Sequence, residues 1–345
     1  MSALLALALM SAISNGDVRL ETADLPVPGV PGQYVALHCA VPARASRQSV
    51  LFIHGASFPT RLAFGFEFSP GDSWLAYMAH RGFLACGLDF LGFGASSRPA
   101  SMTGPSADGA PVTSATEAAQ QIAQAVDYLR KRRGMATVHL VAHSWGTIPA
   151  AAFAATHPDA LASLTLFGPV TPETRKQGAP SASRSWWSIT AQERYQQLRF
   201  KDVLPADLSL LEPAVSEKWA TEFKASVPHV PGDVDGSLRI PAGPLVDIDA
   251  AHAGHYPYDP AKVTAPVFVV YGDYDTETDD ARSAAFLAKF TGSPLKWRLR
   301  IDHGTHVMHL ERNRRSLYES TCAFIQAAAS TVQETSSPMP ASGSH

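Results

Sequence analysis

The sequence predicts an α/β fold: a mostly parallel central sheet flanked by helices, with an inserted and mainly helical lid. Three observations carry this expectation. Short β-branched apolar runs alternate with stretches of helical periodicity from Ser49 to Phe167, and again from Ala265 to Ala329, so the strands are joined by crossovers. The alternation stops between Gly168 and Thr264, where Pro, Trp, Tyr and acidic residues gather. The run Val138-His139-Leu140-Val141-Ala142 ends on His143-Ser144-Trp145-Gly146 and turns at once into an Ala-rich helix. The implied boundaries are a core of residues 1–168 and 265–330, a lid of residues 169–264 and a disordered tail of residues 331–345.

Each element has its own signal. Val18 to Leu25 and Tyr34 to Val41 alternate well enough to form an antiparallel pair, split by the Pro- and Gly-rich turn Pro26 to Gly32. Ser49 to Ile53 and Phe83 to Phe90 read as short buried strands that end in glycine-containing loops, His54-Gly55-Ala56-Ser57 and Asp89-Phe90-Leu91-Gly92-Phe93-Gly94. Thr113 to Arg133 has helical periodicity behind the cap candidates Thr113 and Ser114, and its basic end favours the negative end of the helix dipole. A helix to about His157 and the strand Leu161 to Phe167 follow. In the lid, Thr190 to Phe200 and Glu212 to Ser226 read as helices separated by loops. The sheet resumes with Ala265 to Tyr271, a helix from about Thr278 to Phe290, the strand Leu295 to Ile301, and a closing helix from about His309 to Ala329.

Composition narrows the function classes. With 345 residues, 46% hydrophobic and 17% charged, the chain can bury a large core. A net charge of −3 gives no basic footprint for nucleic acid. Three cysteines, Cys39, Cys86 and Cys322, are too few and too scattered for a disulfide framework or a zinc site, and Cys86 and Cys322 read as core residues. Ala3 to Ile13 is apolar, but no Lys or Arg precedes it and the first basic residue is Arg19. It is expected to be an arm packed on the protein rather than a signal peptide. No stretch is long and apolar enough to span a bilayer. The expected location is the cytoplasm, with a secreted or periplasmic one as the alternative, and the expected partner is a small-molecule substrate, with a homodimer compatible with the composition.

The corner at Ser144 has the marks of a nucleophile elbow. A strand turning sharply into a helix strains its corner residue and demands small neighbours two positions away, here Ala142 and Gly146. Ala142 departs from the usual Gly-x-Ser-x-Gly pattern. A buried strand with a chance serine would not need the small residues or the helix that follows.

Together, His54-Gly55, Asp89-x-x-Gly92-Phe93-Gly94-x-Ser96, the Ser144 elbow, Gly272-Asp273-Tyr274-Asp275 and Gly304-Thr305-His306 resemble the α/β-hydrolase fold superfamily from His54 through the last helix. The order Ser, Asp, His is the one this fold uses. The pairing of Ser144-Trp145-Gly146 with Phe167-Gly168-Pro169 is similar to a capped branch near prolyl aminopeptidases and small esterases.

The resemblance and the chemistry imply roles. A serine hydroxyl needs a base, and the base needs a carboxylate to fix its tautomer. His306 is the expected base, ahead of His303 and His309, because it follows the glycine in the family pattern Gly-x-His. Asp275 is the expected acid, ahead of Asp273, with Glu173 as an alternative after the earlier strand; Asp279 and Asp280 read as helix N-terminal residues. The amides of Trp145 and Ala56 are the expected oxyanion donors. His54 is read as structural, and Asp89 as holding the Gly92 to Gly94 turn. No metal or other cofactor is expected.

A serine at the elbow sets the chain apart from relatives that use an aspartate nucleophile, such as haloalkane dehalogenases and epoxide hydrolases. It implies acyl chemistry. Ser57, Trp186, Trp187 and Tyr195 are the candidate substrate-binding residues, and aromatic lid residues would favour an apolar or aromatic acyl group. The leading reading is a carboxylic-ester hydrolase. The alternatives are a prolyl-aminopeptidase-like peptidase or amidase, which would need a lid carboxylate such as Glu193, Glu212 or Glu217 in the pocket, and a ligand-binding protein of low turnover.

Overall fold

Apolar runs of five to seven residues, too short for helices, form the centre of a nine-stranded sheet in a computed structural model of the chain. The structure describes all residues except 1–13, 16–17, 45, 105–108, 137, 174–183, 198–202, 228 and 337–345. The expected N-terminal arm therefore lies outside the described residues.

The sheet begins with a short β1 (Ser14–Asn15), then β2 (Val18–Pro26) and β3 (Tyr34–Pro42), which pair antiparallel as their alternation predicts. β4 (Ser49–Ile53), β5 (Leu84–Asp89), β6 (Val138–His143), β7 (Leu161–Phe167), β10 (Val267–Gly272) and β11 (Lys296–Ile301) continue it, in the order β1-β2-β3-β5-β4-β6-β7-β10-β11. From β5 to β11 every neighbouring pair is parallel. β4, β5, β6 and β10 are buried at every residue, as parallel strands covered by helices on both faces must be.

The chain order reverses between β4 and β6. A crevice opens at the carboxyl ends of strands at such a switch point, and there the loops after Ile53 and His143 meet.

The flanking helices are α1 (Trp74–His80), the single turn α2 (Ala100–Thr103), α3 (Ala115–Arg133) and α4 (Thr147–Thr156). α3 starts where a capping box permits: the Ser114 side chain accepts from Glu117 N while Glu117 reaches back to Ser114 N at 2.8 Å. It stops at Gly134, whose φ of 71° most side chains would resist.

The insertion between β7 and β10 departs from expectation. It holds α5 (Ala191–Gln197), α6 (Pro213–Lys224) and an unforeseen α7 (Gly243–His252), but also an antiparallel ribbon of β8 (Trp186–Thr190) and β9 (Ser237–Pro241) where loops were expected. The ribbon is fastened by Arg239. Its guanidinium bonds Asp233 at 2.7 and 2.8 Å, donates to Met102 O at 3.1 Å, and lies 4.0 Å from the centre of the Trp186 ring.

After β10 come α8 (Asp280–Ala288), β11 and α9 (Arg314–Ser336). Two expectations are corrected here. His309 lies in a separate 3-10 turn, Met308–Leu310, rather than in the closing helix, and that helix runs on to Ser336, into the segment expected to be disordered.

The cysteine reading is corrected too. Cys39 and Cys86 face each other in the β3–β5 register and form a disulfide, and Cys322 is free and buried. A pair directly opposite on antiparallel strands has the close approach a disulfide needs, a relationship that the spacing of three cysteines along the chain does not reveal.

Candidate active site

Ser144 is the corner between β6 and the helix that follows, and its φ is 56°, a left-handed conformation rare for a residue with a side chain. The corner is tight because the backbone of β4 crosses it. A Cβ on Gly146 would lie 2.3 Å from His54 O, and one on Gly55 would lie 3.1 Å from Ser144 Cβ. Ala142, fully buried in β6, fits without the glycine of the usual pattern.

His306 meets the serine from the loop after β11. Its Nε2 is 2.8 Å from Ser144 Oγ, and its Nδ1 is 3.0 and 3.2 Å from the two Asp275 oxygens. The three groups are buried. Asp275 is held by the turn after β10: Oδ1 accepts from Glu277 N at 2.8 Å and from Thr278 N at 3.3 Å. Gly168 has no room for a side chain, since a Cβ there would come within 2.9 Å of Asp275 Oδ2 and 3.0 Å of His306 Nδ1.

The two loops are sewn together at their backbones. Tyr274 N donates to Gly304 O at 2.9 Å, and Gly304 N donates to Asp273 Oδ1 at 3.0 Å. Asp273, the rival acid, thus holds the histidine loop rather than the imidazole. Glu173, the other rival, is also elsewhere: His252 bridges it, Nδ1 at 3.2 Å from Glu173 and Nε2 at 3.1 Å from Glu277, with Arg282 3.9 Å from Glu173. Ligand atoms of Glu173, His252 and Glu277 lie within 4.8 Å of one another, as a metal site would require. Both ring nitrogens, however, face different carboxylates, the geometry of an ion-pair cluster rather than of ligands converging on one point.

The other histidines separate clearly. His303 is exposed in the turn, with φ 57°. His309 is buried among Phe58, Phe64 and Phe167 with neither ring nitrogen hydrogen-bonded among the described residues, and burial together with the His306 charge pushes its pKa down to about 3. It is neutral and stands behind the site.

A family model described as alpha/beta hydrolase fold matches residues 48–313. The chain belongs to the α/β-hydrolase fold family. No curated protein matches the sequence significantly. Among solved structures, the chain is similar to a thioesterase domain from the curacin biosynthetic pathway, at 16% identity and a TM-score of 0.56, covering 89% of this chain and 99% of that one. A thermophilic esterase from Thermogutta terrifontis gives the same identity, TM-score and coverage. A 2-hydroxy-6-oxo-6-phenylhexa-2,4-dienoate hydrolase from Rhodococcus matches at 17% identity and a TM-score of 0.55, over 90% of this chain and 99% of that one. At such identities the likeness is one of fold.

In this α/β hydrolase the loop after β4 is arranged around His54. Its Nδ1 donates to Gly55 O at 2.8 Å and its Nε2 accepts from Phe90 N at 3.2 Å, a structural role. Asp89 holds the neighbouring turn, as the sequence implies: it accepts from Thr60 N at 2.8 Å and Ala95 N at 3.1 Å, and a side chain on Gly94 would strike it. Ala56 and Ser57 are buried on this loop, and Ser57 Oγ has no hydrogen-bond partner among the described residues. Trp145 is fully buried directly after the serine.

The named insertion residues fall in different settings. Trp186 lies beneath Arg239 and belongs to the packing of the ribbon, while Trp187 is half-buried beside it. The Tyr195 hydroxyl donates to Ser216 O at 2.9 Å, and its ring lies 5.2 Å from Trp219. Trp219 in turn stands edge-on to Phe58 at 5.3 Å and donates to Leu62 O at 3.0 Å, so α6 is docked on the loop that carries Ala56.

Burial lowers the affinity of His306 for a proton, but the charge and hydrogen bond of Asp275 outweigh it. With a further contribution from Glu277, opposed by Arg194, the net pKa is raised above the ordinary imidazole value. Sequence reasoning missed Arg194 because its nearness to His306 depends on how the insertion packs, and Glu277 because it stands in the turn after β10 among several other acidic residues. It also missed His143 and Asp247, for which the signals are polar residues flanking the elbow and in an apolar helix.

Proposed function

We propose that the chain is a serine hydrolase that cleaves a carboxylic ester of a small, apolar or aromatic acyl group. The observation that carries this reading is the continuous chain from Ser144 Oγ through the His306 imidazole to the Asp275 carboxylate, at 2.8 and 3.0 Å.

The chemistry follows from that chain. Ser144 Oγ attacks the ester carbonyl as His306 Nε2 takes its proton; Asp275 holds Nδ1–H and stabilises the imidazolium. The amides of Trp145 and Ala56 receive the oxyanion. His306 gives its proton to the departing alkoxide, leaving an acyl-enzyme. It then takes a proton from water as the hydroxide attacks the acyl carbonyl, and returns that proton to Ser144 Oγ as the carboxylic acid leaves.

The rings of Phe58, Trp219 and Tyr195 support an apolar lining contributed by the insertion acting as a lid. The aminopeptidase reading gains less support. Glu193 is engaged by Thr190 N and Oγ1 at 2.7 and 2.8 Å, Glu212 lies 3.6 Å from Arg314, and Glu217 is exposed. The Cys39–Cys86 disulfide favours an oxidising compartment over the cytoplasm. No described helix is long and apolar enough to cross a membrane.

The test combines fluorophosphonate labelling with turnover of p-nitrophenyl esters by wild type and Ser144→Ala. Labelling and turnover lost together in the variant, by a rate factor on the order of 10⁶, support the reading. Wild-type rates in Ser144→Ala overturn it, and labelling without turnover favours a ligand-binding protein.

A further inference from the structure

Asp247 lies on α7 of the insertion, yet its carboxylate reaches the residue beside the nucleophile. Oδ2 accepts from Trp145 Nε1 at 2.9 Å and from Ala115 N at 2.7 Å. Ala115 is the first residue of α3, where backbone amides have no partner within the helix and the dipole favours a negative charge. These two donors offset only part of the cost of holding a carboxylate in a part-buried place, where burial still pushes its pKa up to about 6.

The start of α7 is clamped to the same segment. Gly243 N donates to Val112 O at 2.9 Å, and a Cβ on Gly243 would meet Thr113 O at 2.3 Å. The insertion thus grips the core at the N-terminus of α3, and Asp247 extends that grip to the elbow.

Trp145 has little freedom apart from this contact. Its ring is fully buried and stands edge-on to Phe90 at 5.3 Å; Phe90 stands edge-on to His54 at 5.0 Å and donates its amide to His54 Nε2. His54 holds Gly55 O, one residue before Ala56. Asp247, Trp145, Phe90, His54 and Gly55 therefore form one packed line from the insertion to both backbone segments that would face an oxyanion.

We propose that Asp247 is a positioning residue, which by holding the Trp145 indole fixes the orientation of the Trp145 amide and couples the seating of the insertion to the oxyanion hole. This rests on the reading of Ser144 as nucleophile. Oxyanion donors act through preorganisation: the amide must already point at the place where charge develops, about 2.7–3.1 Å away. A small rotation of residue 145 spoils that aim without changing how the neutral ester binds. Loss of the tie therefore falls on kcat rather than on KM.

The experiment uses the full chain with a p-nitrophenyl ester as substrate and a fluorophosphonate as probe of Ser144. Asp247→Ala and Trp145→Phe should each lower kcat and the labelling rate by about 10- to 100-fold, with KM within about threefold of wild type. The double variant should be no worse than the poorer single one, because both remove one contact. Ser114→Ala is the control for a purely structural role, since it weakens the start of α3 without touching Trp145. It should lower the melting temperature while leaving kcat near wild type.

A wild-type kcat in Trp145→Phe, or an Asp247→Ala loss no larger than that of Ser114→Ala, overturns the proposal and leaves the hydrolase reading intact. If Asp247→Ala does not fold, Trp145→Phe, which keeps most of the ring volume, still decides. A wild-type protein that neither labels at Ser144 nor turns over esters overturns the hydrolase reading itself, and this proposal with it.

Discussion

His143, the residue before Ser144, donates Nε2–H to the backbone carbonyl of His306 at 2.8 Å. The strand that ends at His143 thus holds the His306 loop by a hydrogen bond independent of the Ser144–His306 contact. Burial first, and then the neighbouring His309 and His306, push the His143 pKa well below the ordinary value, so the ring is neutral and can serve as a fixed donor.

The first prediction concerns this brace. His143→Phe keeps the stack on Phe167, whose ring lies 4.6 Å away, but leaves the His306 carbonyl buried without a partner, at a cost of about 1–3 kcal/mol. Stability measured by denaturant should fall by that amount and kcat by about tenfold or more, since the base loses its support. His143→Gln, which can still donate, should recover part of both. Equal values for the two variants would mean that the hydrogen bond contributes nothing.

The second prediction is the pH profile. Neutral imidazole is the base, so kcat/KM falls as pH drops through the His306 pKa in the free enzyme. Because that pKa is raised, the acid limb should lie above the ordinary imidazole value of about 6.5. Removing the negative charge in Glu277→Gln makes protonation harder and should move the limb to lower pH. Removing the positive charge in Arg194→Gln should move it to higher pH. Burial pushes Glu311 up to about 7, against two bonds from Thr305, so Glu311→Gln should be profiled beside them to separate its titration from that of His306. A limb that Glu277→Gln and Arg194→Gln shift in the same direction would contradict the charge argument.

The third prediction separates the carboxylates. Asp275→Asn should lower kcat by a factor on the order of 10⁴, because an amide cannot hold the tautomer that the serine needs. Glu173→Gln should cost far less, since Glu173 faces His252. Asp273→Asn keeps an oxygen for Gly304 N and should be intermediate. Measuring the three on one activated ester tests the order; a larger loss at Glu173 than at Asp275 would move the acid to the turn after β7.

What the sequence made legible follows from how local each signal is. β4, β5, β6 and β10 are continuous apolar runs ended by loops, and the residues of Gly272 to Asp275 and Gly304 to His306 lie within a turn of the strand that positions them. The β8–β9 ribbon was not legible, because Trp186 pairs with Pro241 across the length of the insertion and a buried Arg239 sits in the strand. α7 was missed because its start, Ala242-Gly243-Pro244, reads as a loop and its apolar residues do not keep to one face. His309 was misassigned to a helix because the buried Glu311 side chain, reaching back to Thr305, holds an irregular turn before α9 begins. For the ribbon the deciding contact is distant in sequence, whereas the Glu311–Thr305 turn is local but irregular.

The last prediction concerns the disulfide, another contact between distant residues. Cys39 and Cys86 are 47 residues apart, and closing a loop of that length restricts the unfolded chain by roughly 4 kcal/mol in the chain-entropy account. The pair joins β3 to β5 just before Asp89, whose carboxylate anchors the loops after β4 and β5. Reduction, or Cys39→Ala with Cys86→Ala, should therefore lower the unfolding free energy by up to that amount. Ester turnover well below the melting temperature should persist, because Ser144, His306 and Asp275 are held by other strands. Of the 3 cysteines, the bond takes two, leaving Cys322 as the one thiol titratable in denaturant without reductant, and all should titrate after reduction. Full titration before reduction would show the bond absent from the protein in solution and remove the argument for an oxidising compartment.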